Sequence, residues 1–155
     1  MKLGDVLRKE RERKKLSLES VAANLGLSID AYQELEGGTS PIEEWGMKLA
    51  RIAIKLFAPT SRLISETGKS AAARPDDGQC GKLIKASREG KAIDLEEFAK
   101  RVEMPVEELT DIEAGKTPLE TYAPLLLHFS ELIEQPIFNL FYPCGLPLDK
   151  LEDYP

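Results

Sequence analysis

Two cysteines and one histidine are all that this chain of 155 residues offers for thiol or metal chemistry. Cys80 and Cys144 stand far apart with no Cys-x-x-Cys pairing, so neither a zinc site nor a structural disulfide in a reducing compartment is expected. Long apolar runs are also missing. The strongest, around residues 125–129, is too short to span a bilayer, so no membrane partner is expected. The opening MKLGDVLRKERERKKL places charges where a signal peptide needs an apolar core, and the protein is expected to stay in the cytoplasm. There is no glycine-rich phosphate loop, no Ser/His/Asp or Cys/His set and no metal-ligand spacing. Neither catalysis nor a cofactor is therefore expected. Alternating strand patterns are absent as well, which leaves an all-helical protein.

An excess of positive charge is lacking too: the net charge is −6, which argues weakly against a dedicated nucleic-acid binder. That average hides an asymmetry. Residues 1–57 carry 10 positive and 9 negative side chains, about +1, and residues 80–142 carry 7 and 12, about −5. Only the first half holds a basic cluster: Arg8, Lys9, Arg11, Arg13, Lys14 and Lys15.

What is present in abundance is self-similarity. At an offset of 77, residues 3–64 align with 80–141 without a gap and with 14 identities. These include Gly4/Gly81, Arg11/Arg88, Leu18/Leu95, Glu36/Glu113, Gly38/Gly115 and Pro41/Pro118. Apolar positions agree more widely, as at Leu7/Ile84, Val21/Phe98, Leu35/Ile112 and Trp45/Tyr122. The chain is thus two copies of one unit, residues 1–64 and 80–142. Residues 65–79 (SETGKSAAARPDDGQ) read as a flexible linker, and residues 143–155 as a tail with three prolines.

Helical signals recur within each copy. A first helix runs from about Leu3 to Lys15. Ser17 caps a second, which Gly26 closes, and Ser28 caps a third, which ends at Gly37-Gly38. SPIE (40–43) and TPLE (117–120) read as capping boxes opening a fourth helix. That helix is expected to bury Ile42, Trp45, Leu49, Ile52 and Leu56. Pro59 and Pro136 open a short fifth helix. Pro124, inside the fourth helix of the second copy, should kink it or leave an unpaired carbonyl.

LESVAANLGLSIDAYQELEGGTSP and LEEFAKRVEMPVEELTDIEAGKTP share Leu-x-x-apolar-Ala, a short turn, an apolar pair, then Glu-x-Gly and a proline. In this each copy resembles the lambda-repressor-like (Cro/XRE-type) helix-turn-helix domain. The resemblance implies two tandem five-helix domains in an all-α chain, and a role in transcriptional regulation. It also implies structural salt bridges Arg11–Glu36 and Arg88–Glu113. Carried over to the first copy, it makes Ile29, Asp30, Gln33 and Glu34 face the bases of double-stranded DNA. Ser17, Ser28 and Thr39 would touch phosphates, and Arg13, Lys14 and Lys15 would line the groove edge. Leu18 and Leu95 stand where many relatives carry Gln, and cannot make that polar contact.

Gln33 is suited to adenine and Ile29 to a thymine methyl, whereas Asp30 and Glu34 accept from cytosine but are repelled by phosphates. In the second copy the corresponding residues are Val106, Glu107, Thr110 and Asp111, and Lys9, Arg13 and Lys15 become Ala86, Gly90 and Ala92. Most DNA contact is therefore expected from the first copy. The second copy and tail are expected to serve a protein partner or self-association. The rival reading is a protein-interaction module, or an antitoxin-like regulator, that kept the fold with DNA binding weakened or lost. His128 and Cys80 read as structural, and Cys144 as an exposed thiol.

Overall fold

The computed structural model describes residues 1–145. Among these the chain is all-helical, with α1 (Leu3–Arg13), α2 (Leu18–Asn24), α3 (Ile29–Gly37), α4 (Ile42–Leu56), α5 (Gln79–Gly90), α6 (Leu95–Arg101), α7 (Val106–Glu113), α8 (Leu119–Leu132) and α9 (Phe138–Phe141). Short 3₁₀ turns lie at Thr60–Leu63, Ser70–Ala72 and Tyr142–Cys144. No described helix is long and apolar enough to cross a membrane.

The repeat is visible in the backbone. Starts of α2, α3 and α4 fall 77 residues before those of α6, α7 and α8. Ser17 Oγ accepts from Ser20 N at 3.0 Å and Ser28 Oγ from Ala31 N at 3.1 Å, so both serines cap as their sequence positions indicate. Gly26 (φ +71°) and Gly38 (φ +78°) supply the left-handed residues that stop α2 and α3. The short Asp94-capped α6 and the α7 that begins after Pro105 repeat the pattern with different caps.

The expected capping boxes do not form. Glu43 does not turn back to Ser40. Its carboxylate instead accepts from Leu3 N (2.9 Å) and Gly4 N (2.8 Å), capping α1 from another helix. Glu120 does the same for α5, accepting from Cys80 N (3.2 Å) and Gly81 N (2.9 Å). The free donors and positive dipole end of α1 and α5 attract the carboxylate more than one local N–H does.

Other details differ from expectation. Trp45 is half-buried, not core. In the first repeat a 3₁₀ turn, not an α-helix, follows Pro59. Pro124 does lie inside the fourth helix of the second repeat, α8, as its position in the sequence indicates. Residues 65–79 lie against the second repeat: Ser65 is fully buried, Ser70 bonds Glu131 through both its N–H and its hydroxyl, and Asp76 accepts from Thr121 Oγ1 at 3.1 Å. The tail beyond residue 145 lies outside the described residues.

One apolar core unites the repeats. Leu3, Leu7, Tyr32, Leu49 and Ile52 of the first belong to the same buried cluster as Ile84, Phe98, Leu126, Phe129 and Phe141 of the second. α4 packs on α8, and Gly46 makes room for α1: a Cβ there would press on the Leu3 side chain at 2.7 Å, while Phe141 and Leu126 would lie at ordinary contact distance.

Candidate nucleic-acid interface

The α2–turn–α3 unit is held by its inner face. Val21, Ala22, Tyr32 and Leu35 are buried, so the spacing of α3 turns Ile29, Asp30, Gln33 and Glu34 outward together on one exposed strip. Ser28 flanks the strip at one end and Thr39 at the other, both exposed, and Ser17 is exposed at the start of α2. The strip holds two carboxylates, one amide and a large apolar side chain, Ile29, which is 45% exposed. No cation is part of it.

The three cations expected at its edge are dispersed. Arg13 donates to Glu10 (2.6 Å) and to the Ile133 carbonyl (3.3 Å), at the C-terminus of α8 in the second repeat. Lys14 pairs with Glu134 at 3.2 Å. Only Lys15, exposed and in the left-handed region (φ +57°), has no ion pair to another described side chain. A cation not singled out from sequence takes a more relevant place: Lys2 donates to the Gly38 carbonyl at 3.2 Å, beside the loop that follows α3. Nothing local marks Lys2, because the contact joins residues 36 apart.

Beneath the strip lies a fork of ion pairs. Arg11 donates through Nε to Glu36 (2.6 Å) and through Nη2 (3.1 Å), while Nη1 reaches the Leu16 carbonyl (3.1 Å). Arg88 repeats the geometry with Glu113 (2.7 and 2.9 Å) and the Ile93 carbonyl (2.9 Å). The bidentate bonds to the glutamates, opposed by burial, hold both guanidinium groups more firmly protonated than usual. Each fork ties the first helix of a repeat to the third and to the intervening loop, so it fixes the strip without touching it. Beside the first fork, the buried hydroxyl of Tyr32 has no hydrogen-bond partner among the described residues. Burial foremost, then Glu36, pushes its pKa up.

The second repeat presents a different surface. Glu107, Thr110 and Asp111 are exposed and Val106 half-buried. Thr110 Oγ1 turns back onto the Val106 carbonyl at 2.8 Å. Glu108 is taken by Lys48 of α4, which also binds Glu44 and lies 4.4 Å over the Trp45 ring. Burial opposes the Lys48 charge, but its two glutamate partners together outweigh that and raise its pKa. Arg51 reaches toward Glu103 (3.8 Å) and the Val102 carbonyl (3.5 Å).

Comparison with protein-family models, with curated proteins and with solved structures finds no match to this chain. The chemistry must be read from the residues themselves. Among those described, no group of three or more His, Cys, Asp or Glu side chains is arranged to hold a metal ion. Half-buried His128 lines a cleft with Leu25, Leu27 and Leu125. Cys80 is buried, and burial raises its thiol far above the usual range. Cys144, expected to be exposed, is half-buried, directs its sulfur toward the Leu140 carbonyl at 3.6 Å, and is pushed up to about 11 by burial first and Glu43 second. Neither thiol is activated.

Proposed function

We propose that the protein is a cytoplasmic, sequence-specific DNA-binding transcriptional regulator built of two lambda-repressor-like helix-turn-helix units, with the first making most of the DNA contact. The observation that carries this reading is the strip of α3. Gln33 lies one helical turn from Ile29, both project from a rigidly stapled helix, and nothing in the second repeat covers them. A bidentate Gln33–adenine pair and an Ile29–thymine contact are the base readers this strip offers, with Asp30 and Glu34 accepting from cytosine amino groups. Ser17, Ser28, Thr39, Lys15 and Lys2 are the groups available for phosphates. Arg13 and Lys14 join them when they exchange their second-repeat partners for phosphate oxygens.

Binding of the full chain to random and genomic duplexes, measured by gel shift across a salt series, tests the reading. Gln33→Ala should flatten base preference, whereas Lys15→Ala should weaken all sequences alike and reduce the salt slope by about one. No retarded complex at low salt would remove it. The rival, a protein-interaction module, is favoured by one feature: the first repeat's cations Lys14, Lys48 and Arg51 are engaged by the second repeat's carboxylates.

A further inference from the structure

Contacts between the repeats come in reciprocal pairs. Lys14 meets Glu134, and Lys91, its equivalent 77 residues on, donates to the carbonyl of Phe57, which is the equivalent of Glu134. Arg51 reaches the turn at Val102, and its equivalent His128 shares a cleft with Leu25, the equivalent of Val102. α1 packs on α9, and α5 on the 3₁₀ turn at Thr60–Leu63 that matches α9 in the repeat. Between them lies a cavity of about 260 Å³ lined by Pro59, Thr60 and Ser61 and by their equivalents Pro136, Ile137 and Phe138. Residue i touching j while the equivalent of j touches the equivalent of i is the signature of an isologous, two-fold interface. Here α4 and α8 meet at the centre, and both halves belong to one chain.

The symmetry holds for the packing and fails for the chemistry. Lys48 and Arg51 meet Glu108 and Glu103 on one side of the dyad. On the other, Leu125 and His128 face Leu25 and Leu27 across an open cleft of about 290 Å³. Outward, α3 offers Ile29 and Gln33 where α7 offers half-buried Val106 and a Thr110 turned onto its own helix. Arg13 and Lys15 correspond to Gly90 and Ala92.

We propose that this chain is a covalent pseudo-dimer that binds DNA as a single molecule, and that its target is a duplex with one readable half-site and no inverted repeat. This rests on the DNA-binding reading above. The face that would recruit a second copy is occupied within the chain, and of the two outward helices only α3 presents an exposed amide and an exposed apolar side chain; α7 presents the carboxylates of Glu107 and Asp111, with no helix-one cations at Gly90 and Ala92 to offset their repulsion from phosphates.

Light scattering of the full chain, followed by enrichment from random duplexes and measurement of complex stoichiometry, tests it. The expected results are one chain in free solution, one chain per duplex, and a motif without dyad symmetry. Gln33→Ala should reduce discrimination within that motif by about tenfold or more, while Thr110→Ala and Asp111→Ala leave the motif unchanged. An inverted-repeat motif, two chains per duplex, or a dimer in free solution would overturn the pseudo-dimer proposal and leave DNA binding standing. A monomer that enriches no duplex would overturn the DNA-binding reading itself, and the proposal with it.

Discussion

Arg88 and Glu113 face each other with side chains only 9% and 6% exposed, slightly deeper than Arg11 and Glu36 at 14% and 9%. Removing one member leaves the other charge buried without its partner, which costs about 3–5 kcal/mol in such settings. Glu113→Ala should therefore lower the urea midpoint sharply, with Glu36→Ala doing so less. Equal, small losses would show that the forks are solvated. Glu120 allows a test by pH. Burial, foremost, raises its carboxyl above the ordinary value of 4.5, against the lowering effect of the Gly81 and Cys80 amides. A raised folded value means that the fold favours the protonated form. Its contribution is present below 4.5 and lost as pH rises through the folded value. Relative to Glu120→Gln, which has no such proton, the wild type should gain stability as pH is lowered from 7 toward 4.5. A stability difference that stays flat with pH would refute this.

At the scale of elements, the close crossing of first and third helices is what the paired glycines serve. A Cβ on Gly4 would overlap the Leu35 carbonyl oxygen, and one on Gly81 the Ile112 carbonyl oxygen. Alanine is normally better than glycine in a helix by about 1 kcal/mol. Gly81→Ala should nonetheless destabilise by about 1–3 kcal/mol, because backbone has to move. Gly90→Ala at the end of the same helix meets nothing within 4 Å and should be neutral or stabilising. Thermal melts of the two variants give the comparison, and a stabilised Gly81→Ala would show that the crossing is loose. The Ser17 and Ser28 caps were visible in the sequence because they follow from local spacing, and the pairing of Gly4 with Gly81 because the repeat aligns them; the outward residues of α3 were implied by the resemblance. The roles of Glu43 and Glu120 were not. A Pro-x-Glu at a helix start looks like a local cap, and only the fold brings the N-terminus of α1, some 40 residues away, within its reach. The contacts of Arg13 and Lys14 with Ile133 and Glu134 were not legible for the same reason: these partners lie 120 residues along the chain.

For the whole molecule, the question is whether two repeats make two folding units. Two of the ion pairs between them, Lys14–Glu134 and Arg51–Glu103, are largely exposed, contribute about 0–1 kcal/mol each and weaken in salt; the less exposed Lys48–Glu108 is a single pair set against a whole apolar seam. The α4–α8 seam holds the halves together. Leu49, Ile52, Leu126 and Phe129 are fully buried, and opening the seam would expose them all. Each half carries its own reporter. Trp45, the sole tryptophan, lies in α4 near the seam, and Cys80 is a buried thiol in α5. In a Cys144→Ser background, urea transitions followed by Trp45 fluorescence and by Cys80 labelling should coincide, at low salt and at 1 M salt alike. Separation of the two curves would mean that the seam is weaker than either half. Separation at high salt alone would assign the coupling to the ion pairs after all.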